Sequence, residues 1–409
     1  MKLTKDSKTL MEFFLKNNCI NHVIPTAKTN KLLKKFFHEI HSAKHYLESK
    51  KQQGILNYGF TITKISTASK ITKPTQFNAN SFPQVIREHI DENSEYDLCY
   101  TFSLLQREVT IHFIVEDPDV ELHIDDYNNY VERIFIWLYF INGYASKQCA
   151  KRLTLFLYLT SLKKVLPSSN IDILDQQHVN TAFTFTCPSI SEIVVFRHEE
   201  WFKVLLHETF HNFGLDFSDM NTKDCTQKIL SIFPVDSEVN LYEAYSEFWA
   251  EVMNAAFCSY YSSKDEEEFL ENCHFFISFE RTYSFFQLAK TLGFMGLTYK
   301  DLYLQSSHVE RTTLYKENSN ILSYYVIKTI LLNNYNGFFA WCSKNNFSIL
   351  QFKKTTGNLE QFCLFIEQNY KKKSMLEGIQ CVEYSKLTNI GKKKSFILNN
   401  MRMSICEMG

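Results

Sequence analysis

The chain has 409 residues, 44 basic against 45 acidic, 45% apolar, 22% charged and 15% aromatic. That length exceeds one ordinary hydrophobic core, and that balance is of a globular protein rather than a disordered one. A net charge of -1 provides no field drawing the chain to nucleic acid or an anionic membrane, which leaves a small neutral or peptide-like partner open.

Taken in order, residues 1–95 read as a mainly helical N-terminal region. Apolar spacing runs through Leu10, Phe13 and Phe14, then through Leu32, Leu33, Phe36, Phe37 and Ile40. Strands and loops are expected over 58–81, and a helix from Pro83 to Glu92. The N-terminus has no apolar stretch with a small-residue cleavage site, so a secretory signal is not expected. The most apolar segments, Ile134–Ile141 and Leu153–Leu159, fall far short of the roughly 20 residues a membrane helix needs.

Residues 96–220 alternate strand and helix. Val109–Val115 reads as strand, Tyr127–Tyr144 as buried helix, Arg152–Leu159 as strand, and two further strands are expected in Thr181–Cys187 and Glu192–Arg197. A helix follows from Glu199 to Phe213, with Glu199 and Glu200 expected in its first turn and Gly214 as its left-handed end. Residues 221–350 read as a helical C-terminal lobe, whose first strong helix runs from Glu238 to Tyr260, capped by Asp236 or Ser237. The segment 351–409 is dotted with lysine clusters (Lys353-Lys354, Lys371-Lys372-Lys373, Lys392-Lys393-Lys394) and reads as solvated. Eleven cysteines without a Cys-x-x-Cys pair suggest buried free thiols in a reducing compartment.

The chemistry concentrates in His207-Glu208-Thr209-Phe210-His211. On a helix, residues four apart stack one turn above each other, so both imidazoles can reach one tetrahedral ion while Glu208 points at its bound water. Trp201, Leu205, Leu206, Phe210 and Phe213 supply the apolar stripe that buries such a helix. A catalytic zinc needs a third protein ligand and an open position. Glu243 is the best candidate, because Glu243, Ser246 and Glu247 form one polar stripe on an otherwise apolar helix, and a carboxylate facing a core needs a cation. Glu247 is placed to accept a hydrogen bond from the outer nitrogen of a metal-bound histidine. Asp216, in the glycine turn after His211, is a helix-end residue, a second supporting partner, or a competing ligand. His38, His41 and His45 share a helix face but lack the intervening Glu and read as surface histidines.

These residues resemble the gluzincin clan of zinc peptidases. His207-Glu208-x-x-His211 matches its first motif, and Glu243-x-x-Ser246-Glu247 its second, with Glu247 where the clan usually has Asp. The turn after His211 is also similar to the metzincin signature, but Phe217 stands where that family has its third histidine. Gluzincin resemblance implies an α+β, zincin-like fold: a mixed sheet, the His-Glu-x-x-His helix, then a mainly helical lobe, here with an extra N-terminal helical region. It further implies Zn2+ on His207, His211 and Glu243, Glu208 as general base, and an edge strand, 179–183, aligning substrate backbone through Asn180 and Ala182. An oxyanion donor is implied downstream, where His308, Tyr315, Tyr324 and Tyr325 all stand; spacing does not choose among them, and Tyr324 and His308 are carried forward. The implied activity is zinc-dependent hydrolysis of peptide bonds; a chain keeping this fold but only binding peptide, or only structural, would share every ligand. The run Ile193–Trp201 is similar to uncharacterised peptidases of large DNA viruses, and richness in Lys, Asn, Phe and Tyr suits an A+T-rich genome of that kind, which makes a virus-encoded, intracellular protein the expectation.

Overall fold

The structure is a computed structural model that describes residues 2–20, 22–53, 58–383 and 394–409. It is mixed α/β with a mixed sheet, as expected of an α+β chain. The strands in chain order are β1 (Gly59–Lys64), β2 (Tyr96–Leu104), β3 (Arg107–Val115), β4 (Arg152–Tyr158), β5 (Leu174–Asp175), β6 (Ala182–Thr184), β7 (Ile190–Val195) and β8 (Glu317–Asn318). The chain forms two compact units, each drawn from separate stretches of sequence.

One unit comprises Lys35–Lys163 and Thr181–Leu215. Its six-stranded sheet has the order β1-β2-β3-β4-β7-β6. The β3–β4 and β4–β7 pairs are parallel and the other three antiparallel. The parallel centre is covered on both faces, which is why β4 buries neighbours as well as alternate residues, Leu155, Phe156, Leu157 and Tyr158 among them. One face packs against the helix Ile124–Asn142: Phe135 meets Phe102, and Tyr127 meets Phe113. The opposite face carries a layer from the 65–90 stretch, in which Ile65, Ile71, Ile86 and Ile90 cluster with Ile114, Phe156, Tyr158, Val194 and Phe196. Buried Glu192 anchors that layer by accepting from the amides of Thr75 and Gln76 and the Thr75 hydroxyl.

The other unit comprises Met1–Lys34, Lys164–Asn180 and Asp216–Gly409, and is helical apart from the short parallel pair β5–β8. Its long helices Leu241–Ser262 and Glu266–Phe294 bury most of their residues. A fully buried ion pair, Lys328 with Glu251, joins the first of these to the helix Lys328–Asn333 at 2.6 Å. Rings of Phe217, Tyr245, Phe338, Phe352 and Phe362 pack edge to face around the same helix.

Several boundaries move from expectation. The His-Glu-x-x-His helix spans Trp201–Asn212, and Glu200 precedes it in left-handed backbone (φ 59°), so Glu199 and Glu200 stand before the first turn rather than in it. A short helix, Lys223–Ile232, comes next, and the helix expected from Glu238 starts at Leu241, later than capping by Asp236 or Ser237 requires. The strand expected over 179–183 is Ala182–Thr184, because Gln176–Val179 closes into a helical turn that Asn180 ends. The C-terminal segment is largely core. Helices Thr356–Asn369 and Lys373–Val382 bury Leu359, Phe362, Cys363, Ile366, Met375 and Ile379, and Glu280 accepts from the Ser404 hydroxyl and the amides of Ile405 and Cys406. Its lysines at 353–354 and 371–373 are exposed, as read; Lys392-Lys393-Lys394 lies outside the described residues but for the Lys394 backbone. Cys149 and Cys187 form a disulfide, a correction to the expectation of free thiols throughout; seven of the nine free cysteines are buried. Among the described residues no helix is long and apolar enough to cross a membrane.

Candidate metal centre

The helix Trp201–Asn212 is buried along its whole length. Its apolar residues have the sheet and the Ile124–Asn142 helix to pack on, and Trp137 of that neighbour donates its indole N–H to Thr209 Oγ1 at 2.9 Å. Thr209 returns its own hydroxyl to the Leu206 carbonyl, so this buried polar pair is satisfied. The helix ends in a Schellman arrangement: Leu215 N–H reaches the Phe210 carbonyl at 2.9 Å and Gly214 N–H the His211 carbonyl at 3.0 Å. Gly214 takes φ +67°, and a Cβ there would sit 3.4 Å from Cys149 Sγ and Cys187 Cβ, so both backbone and space favour glycine.

His207 and His211 project from one face, 5% and 8% exposed, with their Nε2 atoms 3.0 Å apart. Two nitrogens bound to one tetrahedral zinc at about 2.0–2.1 Å each would stand about 3.3 Å apart. The imidazole pair is thus already near the separation a shared ion imposes. Glu208 is buried between them in sequence, 7% exposed. The ligand atoms of His207, His211 and Glu243 all lie within 4.8 Å of one another, so this group could hold a metal ion. The donor set fits zinc: two imidazole nitrogens and one carboxylate oxygen, leaving a fourth position open.

Glu243 lies in the first turn of the Leu241–Ser262 helix. Tyr324 donates its phenolic hydrogen to Glu243 Oε2 at 2.7 Å. Tyr324 belongs to a π-helical stretch, Leu322–Ile327, tied to the same helix start by Ser323 Oγ donating to the Asn240 carbonyl and by Asn240 Nδ2 donating to Asn320 Oδ1. Ahead of it, Glu317 accepts from the amides of Ile321 and Leu322 and from the Tyr315 hydroxyl. Burial is the main cause that raises the Glu317 carboxyl to about 7, against those hydrogen bonds. Burial, and then the charges of Glu243, Asp216 and Glu238, push the Tyr242 phenol up beside the site.

The remaining candidates separate clearly. Glu247 is buried (1%) one turn past Glu243. Asp216, fully buried, accepts from Ser246 Oγ at 3.2 Å and from the amide and hydroxyl of Ser218, and it does not join the His207–His211–Glu243 group. It thereby holds the serine of the second motif. His308 starts a short helix, His308–Leu314, exposed and against the Thr312 hydroxyl, whereas Tyr324 bonds Glu243. Tyr315 and Tyr325 turn elsewhere, to Glu317 and to the Met401 carbonyl. Asn180 accepts from Ser319 Oγ and ends the preceding helical turn. Ala182 sits on β6, at the edge of the sheet. Phe196 N–H bonds the Thr181 carbonyl, so by antiparallel alternation Ala182 and Thr184 turn their backbone groups away from β7.

Sequence reading missed Asn212. It is fully buried and joins the end of the helix to the sheet edge, its Nδ2 donating to Thr184 Oγ1 at 2.8 Å and its Oδ1 accepting from Ser191 Oγ at 3.1 Å. An amide on the buried side of an apolar helix, directly after the second histidine, was the available signal.

The chain is similar to an uncharacterized protein of Acanthamoeba polyphaga mimivirus, 28% identical over 219 residues, which are 51% of this chain and 51% of that protein. It thus spans about half the length of the curated relative it matches. No family model matches the chain. No solved structure matches it either.

Proposed function

We propose that the chain is a zinc-dependent peptidase with a zincin-like fold of the gluzincin type, its ion held by His207, His211 and Glu243. One observation carries this: the ligand atoms of those three side chains converge within 4.8 Å. Zinc bound there would act as a Lewis acid and bring the pKa of a water toward about 7.

The chain's own residues supply the rest. Glu208 follows His207 on the buried helix, where its carboxylate takes the proton of the attacking water and hands it to the leaving nitrogen. Tyr324 keeps the Glu243 carboxylate turned, and its hydroxyl serves a developing oxyanion only by giving up that bond. The outward backbone groups of Ala182 and Thr184 offer a peptide an extra strand to pair with. The relative named above supports a virus-encoded origin.

The test is metal analysis of the purified chain, followed by digestion of a peptide library with and without a chelator. One bound zinc and chelator-sensitive cleavage are expected. A chain that binds no zinc, or a Glu208→Gln variant that cuts as fast as the native one, overturns the proposal.

A further inference from the structure

A three-residue edge strand is a poor platform unless something stiffens it, since ladder bonds on one side only leave it prone to fray. β6 has register pairs at just Ala182, Phe183 and Thr184. Its last residue is nevertheless held twice. Thr184 Oγ1 donates to the Glu192 carbonyl at 2.7 Å and accepts from Asn212 Nδ2 at 2.8 Å. Asn212 also reaches the Phe185 carbonyl at 3.5 Å and accepts from Ser191 Oγ on β7. Donor and acceptor ends of one buried amide are therefore both used, and the residue carrying it follows His211 directly.

We infer that Asn212 is a positioning residue that sets the free edge of β6 at a fixed height on the metal-binding helix. The inference rests on the peptidase reading for its purpose, but not for its physics. Through one side chain, movement of the helix end is passed to Thr184, whose backbone faces the open edge where an extended peptide would pair. Cys187, two residues beyond Phe185, is bonded to Cys149 and so limits the other end of the same segment. On the peptidase reading, the ligand this edge would take is an extended peptide whose main chain pairs with Ala182 and Thr184.

Two variants of the full chain test this. Asn212→Asp keeps the shape and the bond from Ser191 but cannot donate to Thr184. Thr184→Val removes the acceptor without touching the helix, and keeps the inference testable should the buried aspartate fail to fold. Hydrogen exchange of the Phe183 amide, the β6 N–H that alternation turns toward β7, is expected to quicken about tenfold in both, the loss of roughly one net hydrogen bond. Zinc stoichiometry should stay at the native value. Affinity for a peptidyl hydroxamate should fall about tenfold, whereas affinity for acetohydroxamate, which reads the metal alone, should hold. Unchanged Phe183 amide exchange in Thr184→Val, or equal weakening of both hydroxamates, overturns the inference. If the native chain binds neither hydroxamate, the peptidase reading fails, while the exchange rates still decide whether Asn212 fastens the strand.

Discussion

Two helices of this chain carry histidines one turn apart, and their surroundings set their chemistry. The helix Ala27–Gln52 presents His38, His41 and His45 to water along one exposed stripe. The helix Trp201–Asn212 buries His207 and His211 with Nε2 atoms 3.0 Å apart and brings a carboxylate from a distant helix to them. Spacing is shared; burial and the third donor are not. A metal site thus depends less on the histidine interval than on side chains that cannot turn away into solvent.

The largest effect is expected where the comparison is sharpest. Glu208→Gln should retain zinc and lose turnover by about 10²–10⁴-fold, measured as cleavage rate at matched zinc content. Replacing both Cys149 and Cys187 by serine releases a clip of sequence separation 38 that lies against the end of the metal helix, with a chain-entropy loss of about 4 kcal/mol. Denaturant titration reads this loss, and an unchanged midpoint would show that the buried helix needs no such fastening.

A third histidine sharpens the comparison further. His112 on β3 is mostly buried, joins no candidate metal group among the described residues, and stands 3.0 Å from Asp97. Burial alone would lower its pKa, but hydrogen bonds and charge from Asp97, with Cys99, outweigh that and raise it to about 9. A folded value above the unfolded 6.5 means stability fully present below about pH 6.5 and lost as pH rises through 9, on the order of 2 kcal/mol. Unfolding midpoints from pH 6 to 9.5 should show this slope, and Asp97→Asn should flatten it. Tyr324→Phe should weaken zinc binding about tenfold by freeing the Glu243 carboxylate, as a competition assay with a chelator would register. Smallest of all, alanine at His38, His41 and His45 together should leave zinc content unchanged and stability within about 0.5 kcal/mol; any loss of bound zinc breaks the contrast between the two helices.

The sequence by itself determined the elements whose signal is local. Periodicity marked β3, β4 and the buried helix between them within a few residues, and the four-residue interval at His207 and His211, with Gly214 just beyond, marked the helix of the candidate metal centre. The polar stripe on an apolar helix singled out Glu243, because a carboxylate among aromatic neighbours needs a reason to be there. What only the tertiary structure decided are pairings between residues far apart in the chain. Tyr324 bonded to Glu243, Asp216 bonded to Ser246, Cys149 bonded to Cys187, Asn212 spanning to Thr184, and the C-terminal segment threaded onto Glu280 all depend on which surfaces meet. No window of sequence encodes those meetings, since each follows from how buried faces fill a common core, where the position of any one side chain is set by all its neighbours at once.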